Sequence, residues 1–470
     1  MSEKNKATPI VIGQRVEMFI DDFLIEGMDK TYLKLNPPEK KEVVLRMDKP
    51  WEGLGSGIYS SVFKDGDRFK MYYRGTFDNS SDKAEGQSCC YAESSDGIHW
   101  ERPELGIHEF EGSTKNNIVM KGSIAHNLSP FIDERPGCPP EEKYKAVAGY
   151  APEGLFAFVS EDGLRFKPYR EEAIIQKGAF DSHNLVFWDP NKECYVCYSR
   201  YFASNQEPDI QAPEDAALFL GIRAIQHSTS TDFKNWTPPQ PNVYDETAPL
   251  EHFYTNATIP CPGAEHIYLS FPMRFMPDRS KVADHPKVGV SDNVFMSSRD
   301  GVKWDRPFLE AWMRPGLDRR NWTQRTLIPA WGILETSPEE FSMFGNERYY
   351  WDDSFIRRVT VPRHRFASVH GDYTGGVFVT KPIVVGGNSL TINYATSAAG
   401  SVRIGMIDEA GWPVAGFSTE DCDIIYGDEL EYTVTWHGQS DLSQFVGQPI
   451  RFKFELKDAD IYALRFRDLV

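Results

Sequence analysis

The sequence predicts an all-β chain, a five-bladed β-propeller over residues 1–371 followed by a C-terminal β-sandwich over 372–470. Three observations carry this. Four short segments are copies of one another: Ser94-Ser95-Asp96-Gly97-Ile98-His99-Trp100, Ser160-Glu161-Asp162-Gly163-Leu164-Arg165-Phe166, Ser230-Thr231-Asp232-Phe233-Lys234-Asn235-Trp236 and Ser298-Arg299-Asp300-Gly301-Val302-Lys303-Trp304. Their Asp residues are 66, 70 and 68 positions apart, a period that marks a repeated supersecondary unit. Each repeat holds strand-length apolar runs punctuated by Asp-Gly turns, a strong hairpin signal. After about Asp372 the period disappears and short Gly-punctuated strands follow, as in a sandwich.

Each repeat reads as four strands. In the first, Ile58–Phe63 turns at Lys64–Asp67 into Phe69–Arg74; a third strand covers Ser88–Glu93, and Asp96-Gly97 leads into the closing Trp100. The later first strands are expected near His126–Asp133, Asp181–Trp188 and Tyr254–Cys261, and the second near Tyr144–Tyr150, Cys194–Tyr201 and His266–Arg274. A fifth unit begins near Glu335, lacks an Asp-Gly closure and is a strand short. The early run within residues 14–26 is expected to supply that strand and seal the ring, removing an exposed edge. In the last domain Gly376–Thr380, Ser389–Tyr394, Ser401–Met406 and Pro449–Leu456 read as strands, the last by clean alternation.

Composition narrows the function classes. A net charge of −18 in 470 residues argues against nucleic acid, which demands a basic footprint. No 18-residue apolar run is present, so no membrane partner is expected. The start, Met1-Ser2-Glu3-Lys4-Asn5-Lys6, leads into no apolar h-region, so no signal peptide is read there. The expected location is cytoplasmic, or secreted or periplasmic should the sequence be trimmed. The seven Cys are irregularly spaced, and Cys194 and Cys197 fall on opposite faces of a strand, a poor metal site. Aromatic residues make up 13%, enough to line a sugar site as well as a core. Oligomeric state is not legible.

The repeat period, the Ser-x-Asp-Gly-x-x-Trp hairpins and the terminal sandwich together resemble the five-bladed glycoside hydrolase superfamily, whose members include the fructosidases of family 32 and the arabinosidases and xylosidases of family 43. The hairpins fit the mannoside phosphorylases of family 130 at least as well. The resemblance implies a carbohydrate substrate, no required cofactor, and a site in the central cavity. A structural cation at the hub is compatible with it. The fructosidases carry Asn-Asp-Pro, Arg-Asp-Pro and Glu-Cys on their first three inner strands. This chain has Gly55-Ser56-Gly57, Ala125-His126-Asn127 and Phe180-Asp181-Ser182-His183-Asn184 there. The acid role therefore transfers to Asp181 alone, and a fructose substrate is not implied.

Glycosidic cleavage ordinarily uses two carboxyl groups across the scissile bond. Glu340 and Glu335 flank the start of the expected fifth inner strand, and Asp22 is the other option for Asp181's partner. His183 is a candidate for proton transfer and His126 for binding substrate hydroxyls. Arg74, Arg200 and Arg274 end three successive second strands, so at equal radius they would form a cationic collar suited to carboxylate, sulfate or phosphate. Trp51, Tyr59, Tyr254 and Asn256 lie near blade mouths as further substrate contacts. The leading expectation is a glycoside hydrolase acting on a poly- or oligosaccharide, sulfated or uronic among the options. A phosphorylase using the arginines for phosphate, and a non-catalytic sugar-binding propeller, are the alternatives.

Overall fold

The computed structural model describes residues 8–77, 86–150, 152–203 and 221–469. The chain divides into two compact units, one built from Pro38–Thr360 and the other from Met1–Pro37 with Val361–Val470.

The larger unit is a β-propeller of successive antiparallel sheets. The first joins Ser61–Asp65, Arg68–Thr76, Gln87–Ser94 and Ile118–Lys121. The second joins Ser129–Ile132, Tyr144–Tyr150, Gly154–Ser160 and Lys167–Pro168. The third joins Leu185–Asp189, Cys194–Ala203, Ile222–Ser230 and Gln240–Pro241. In the fourth repeat Ile259–Cys261, Ala264–Ser270 and Met296–Ser298 pair. The expected single strand from His266 to Arg274 is broken there. Pro272 has no N–H for the ladder, and Met273–Met276 pairs instead with His252–Phe253 and Val290–Asn293.

The last sheet is Leu334–Ser337, Glu340–Glu347, Phe355–Pro362 and then Glu39–Arg46. An N-terminal strand thus completes it, but not the expected residues 14–26. In that stretch Glu17–Met18 pairs with Pro449–Arg467, and Ile25 begins a strand, Ile25–Asp29, that pairs with Gly376–Thr380, all in the smaller unit. The physical reason is apolarity: Phe19, Leu24 and Ile25 are buried in the smaller unit's core, whereas Glu39–Arg46 is mostly polar and suits an outer edge. The ring closes between last and first sheets. Val62 N donates to Trp331 O at 2.7 Å and Trp331 N to Ser60 O at 2.7 Å.

The four repeated hairpins share one hydrogen-bond scheme. In each, Ser Oγ donates to the Asp Oδ1, at 3.0 Å in Ser94–Asp96, 2.9 Å in Ser160–Asp162, 3.1 Å in Ser230–Asp232 and 3.1 Å in Ser298–Asp300. That oxygen also accepts two successive backbone N–H groups, at 2.8 and 2.8 Å in the first hairpin and 2.8 and 2.7 Å in the third. The residue after the Asp needs positive φ: Gly97 and Gly163 at 75°, Gly301 at 74°. The third copy places Phe233 there at 65°, a strain offset by complete burial of its ring beside Tyr195 and Trp236. Neighbouring sheets dock on these tips: Tyr72 Oη donates to Gly163 O at 2.8 Å and Tyr198 Oη to Gly301 O at 2.7 Å.

The smaller unit is a β-sandwich whose long strands, Ser389–Ile407 and Pro449–Arg467, pair along most of their length. Its core includes Phe378 and Phe454, stacked at 4.4 Å. No helix among the described residues is long and apolar enough to cross a membrane. All seven cysteines are free thiols.

Asp232 tests the hairpin scheme. The bonded carboxylate is held to about 2 against an ordinary aspartate value of about 3.9. Its stabilisation is therefore fully present above about pH 4 and is lost as pH falls toward 2. Asp232→Ala is expected to cost about 1 kcal/mol at pH 7, exposure trimming the value. Urea denaturation should show that gap closing in acid; equal midpoints at pH 7 would contradict the scheme.

Candidate active site

The chain approaching the third inner strand is held by buried amides. Asn127 Nδ2 donates to Phe180 O at 2.6 Å, Ser182 O at 2.9 Å and Gly149 O at 3.0 Å, and its Oδ1 accepts from Gly149 N at 3.1 Å. Asn184 Nδ2 donates to the same Phe180 and Ser182 carbonyls at 2.8 and 3.0 Å. Ser182 Oγ donates to Tyr254 O at 2.8 Å. These bonds replace a ladder, so the strand starts at Leu185 rather than Asp181. The side chain left to project is Asp181. It stands among many neighbours, yet its side chain is 41% exposed.

Asp181 Oδ1 lies 3.0 Å from His126 Nε2, and His126 Nδ1 lies 2.8 Å from Ser123 O. Both ring nitrogens thus face acceptors, so the pair completes both bonds only while it holds one proton between Nε2 and Oδ1. Burial pulls the imidazole below its ordinary value, partly offset by Asp181. Burial pushes Asp181 up, but His126, Arg200 and Arg325 outweigh it and hold the carboxyl well below the usual range. Tyr150 stacks on His126 at 4.3 Å and 17° and donates its Oη to Ser123 O at 2.5 Å, which fixes the ring. Asp181 Oδ2 makes no hydrogen bond among the described residues.

Beside this pair stand three guanidinium groups. Arg200, Arg223 and Arg325 place Cζ 5.3, 5.4 and 5.2 Å from the centre of the Tyr254 ring. Arg200 Nη2 also donates to the Asp181 carbonyl. Burial pushes the Tyr254 phenol up, but Arg325 and Arg200 hold it below its ordinary value. Tyr59, by contrast, is driven well up by burial and by Tyr254. Tyr59 and Arg325 both sit in the left-handed region, at φ 52° and 57°, as do Ala257 at 43° and Leu327 at 64°. Such strain persists only where surrounding contacts over-determine the backbone.

The structure therefore groups Asp181, His126, Tyr59, Tyr254 and Arg200 from the sequence expectation. Arg74 stands near; its charge acts on His126 and Tyr150, and its Nε donates to Gln87 Oε1 at 2.8 Å. The other expected residues have surroundings of a different kind. Arg274, displaced by the break at Pro272, forms a bidentate pair with Asp292 at 2.9 and 2.7 Å and also meets Glu251 at 3.0 Å. Glu340 opens the second strand of the last sheet, opposite the end of the inner strand at Ser337, in an ion pair with Arg358 at 2.8 Å. Glu335 is exposed on that strand opposite Phe341. Asp22 belongs to the smaller unit. His183 is fully buried, stacked on Tyr59 at 6.0 Å with Nε2 3.4 Å from Ser61 Oγ, and burial pushes it down to about 3, which disfavours the protonated form that proton transfer needs. Asn256 is buried and accepts from Thr258 N at 3.1 Å. Trp51 donates to Asn117 Oδ1 at 2.7 Å and packs edge-on against Phe110.

Sequence reading missed Arg223, Arg325 and Tyr150. Arg223 pairs in register with Phe202, two residues beyond Arg200, which puts Arg200 and Arg223 on one face of the third sheet. That relation is invisible without the pairing. Among the described residues, no group of three or more His, Cys, Asp or Glu is arranged to hold a metal ion.

No protein-family model matches the chain, and no curated protein matches it. Solved structures similar to it include one described as a glycoside hydrolase, at TM-score 0.48 and 14% identity over 69% of this chain and 92% of that one. Another belongs to the family 130 mannoside phosphorylases, described as containing glycoside hydrolases that target β-1,2 mannosidic linkages in Candida mannan. Its TM-score is 0.39 at 13% identity, over 74% of this chain and 96% of that one. A third is a fructofuranosidase from Schwanniomyces occidentalis complexed with fructosylnystose, at TM-score 0.36 and 10% identity over 92% and 96%. At these identities no site residue transfers to this chain.

Proposed function

We propose that this chain cleaves glycosidic bonds, with Asp181 and His126 as its acid–base pair. The observation that carries the reading is the dyad itself: a carboxylate 3.0 Å from a buried imidazole, with its second oxygen open to an incoming group. The proton held between Nε2 and Oδ1 passes to the leaving glycosidic oxygen as the bond to the anomeric carbon breaks. In hydrolysis, water supplies the oxygen that joins that carbon and returns its proton to the dyad. Tyr150 and Ser123 hold His126 in place for this step, and Arg200 holds the Asp181 carbonyl. A hydrolase is the leading form.

Phosphorolysis is the second form, and one observation favours it. Among the described residues, no second carboxylate is hydrogen-bonded or ion-paired to Asp181 or to Arg200, Arg223 and Arg325. Phosphate brings its own nucleophilic oxygen and needs no such partner. Cleavage at full rate in phosphate-free buffer would exclude this form.

Asp181→Asn keeps the volume and removes the proton carrier. It is expected to lower kcat by about 10²–10⁴-fold on neutral and uronic oligosaccharides, with the thermal melt unchanged; an undiminished rate contradicts the assignment. The dyad must also be protonated to work. Because burial lowers His126, activity should fall as pH rises, with a midpoint below the ordinary histidine value of about 6.5. A pH–rate profile flat from 5 to 8, roughly two units around that value, would contradict it.

A further inference from the structure

We infer that Arg200, Arg223 and Arg325 form an oxyanion subsite beside Asp181, one that takes a carboxylate, sulfate or phosphate group. The inference rests on Asp181 marking the centre of the site. It differs from the collar expected along the second strands, because two of its three members lie elsewhere in the repeat.

The first support is geometric. Three guanidinium carbons lie within 5.4 Å of one ring centre, so all three border Tyr254, and Arg223 feels the charges of the other two. The second is the lack of compensation. Arginines in this acidic protein generally find carboxylates: Arg274 has two, Arg102 two and Arg348 two. Among the described residues Arg200, Arg223 and Arg325 have no carboxylate at ion-pair distance, and Asp181 acts on Arg200 and Arg325 through its charge alone. Each makes a single side-chain hydrogen bond: Arg200 to the Asp181 carbonyl, Arg223 Nη1 to His252 Nδ1 at 3.4 Å, and Arg325 Nη1 to Tyr349 Oη at 3.2 Å. A guanidinium carries five N–H donors, so most are unused. The Nε of all three is buried without a partner, although Arg200 as a residue is only 4% exposed.

The third support is electrostatic. Burial and the charges of Arg200 and Arg325 lower Arg223, and Arg325 and Arg200 draw down the Tyr254 phenol. Like charges gathered in a partly desolvated place cost free energy until an anion joins them. A tetrahedral or planar oxyanion meets several forks at once, which a neutral sugar hydroxyl cannot do. Such an anion has two sources, an acidic substituent on the glycan or free inorganic phosphate.

The test uses the full chain and reads binding without turnover, so it stands whether or not Asp181→Asn abolishes cleavage. Inorganic phosphate, sulfate, glucuronate and glucose are titrated calorimetrically at fixed ionic strength. Saturable binding of at least one oxyanion, with none of glucose, is expected. Arg223→Gln should weaken it by at least about tenfold, whereas Arg165→Gln, an exposed hairpin residue paired with Asp162, should not. Arg223→Lys, which keeps charge and loses the fork, should also weaken it, guarding against a folding defect in the first variant. Binding of phosphate or sulfate with indifference to glucuronate assigns the free ion; glucuronate bound in preference to both assigns the sugar's own acid. No saturable oxyanion binding, or binding that both Arg223 variants leave intact, overturns the inference.

Discussion

The backbone bonds that tie Ser60 and Val62 to Trp331 close the ring of sheets, and the centre of the propeller depends on that closure. An open array of sheets would leave two edges and no hub. Trp331 also donates its Nε1 to Thr258 O at 2.9 Å, so the same residue ties the last sheet to the fourth as well as to the first. The strand Glu39–Arg46 completes the closing sheet, with Arg358 bonded to Glu42 at 2.8 Å. Tyr59 and Arg325 flank the two closing segments, and both carry left-handed backbone. Closure and left-handed backbone therefore occur close together in the chain at Tyr59.

Charge at the hub runs against charge in the chain as a whole. The protein is acidic, yet Arg200, Arg223 and Arg325 gather around the Tyr254 ring, two of them acting on the Asp181 carboxyl. His126, with Arg200 and Arg325, holds the Asp181 carboxyl down despite its crowded surroundings. Neither group would have this character alone. An aspartate on the same loop without its cationic neighbours would be driven up by burial, and a histidine without Asp181 would be lower still.

Legibility in the sequence followed the range of the interactions. The hairpins were readable because their bonds run between residues two and three apart, so Ser, Asp and Gly at set spacing state the turn outright. Tyr144–Tyr150 and Gly376–Thr380 have the bounds their patterns predict, because each pairs with neighbouring strands along its whole length. The first strands start later than expected, because the residues before them bond to side chains such as Asn127 and Asn184 instead of to a neighbouring strand. Pro272 was visible in the sequence, but its effect on Arg274 required knowing that the ladder ran through it.

The sequence by itself determined the repeat, the hairpin chemistry and the all-β class, and it singled out Asp181 ahead of the third inner strand. Local periodicity and turn chemistry suffice for those. Only the tertiary structure decided which side chains meet. It sent residues 17–29 to the sandwich unit, set Glu340 against Arg358, and buried His183. It also brought Arg325, far along the chain, to the same tyrosine as Arg200. Convergence at a hub joins residues whose separation in sequence carries no periodic signal, so no pattern along the chain records it.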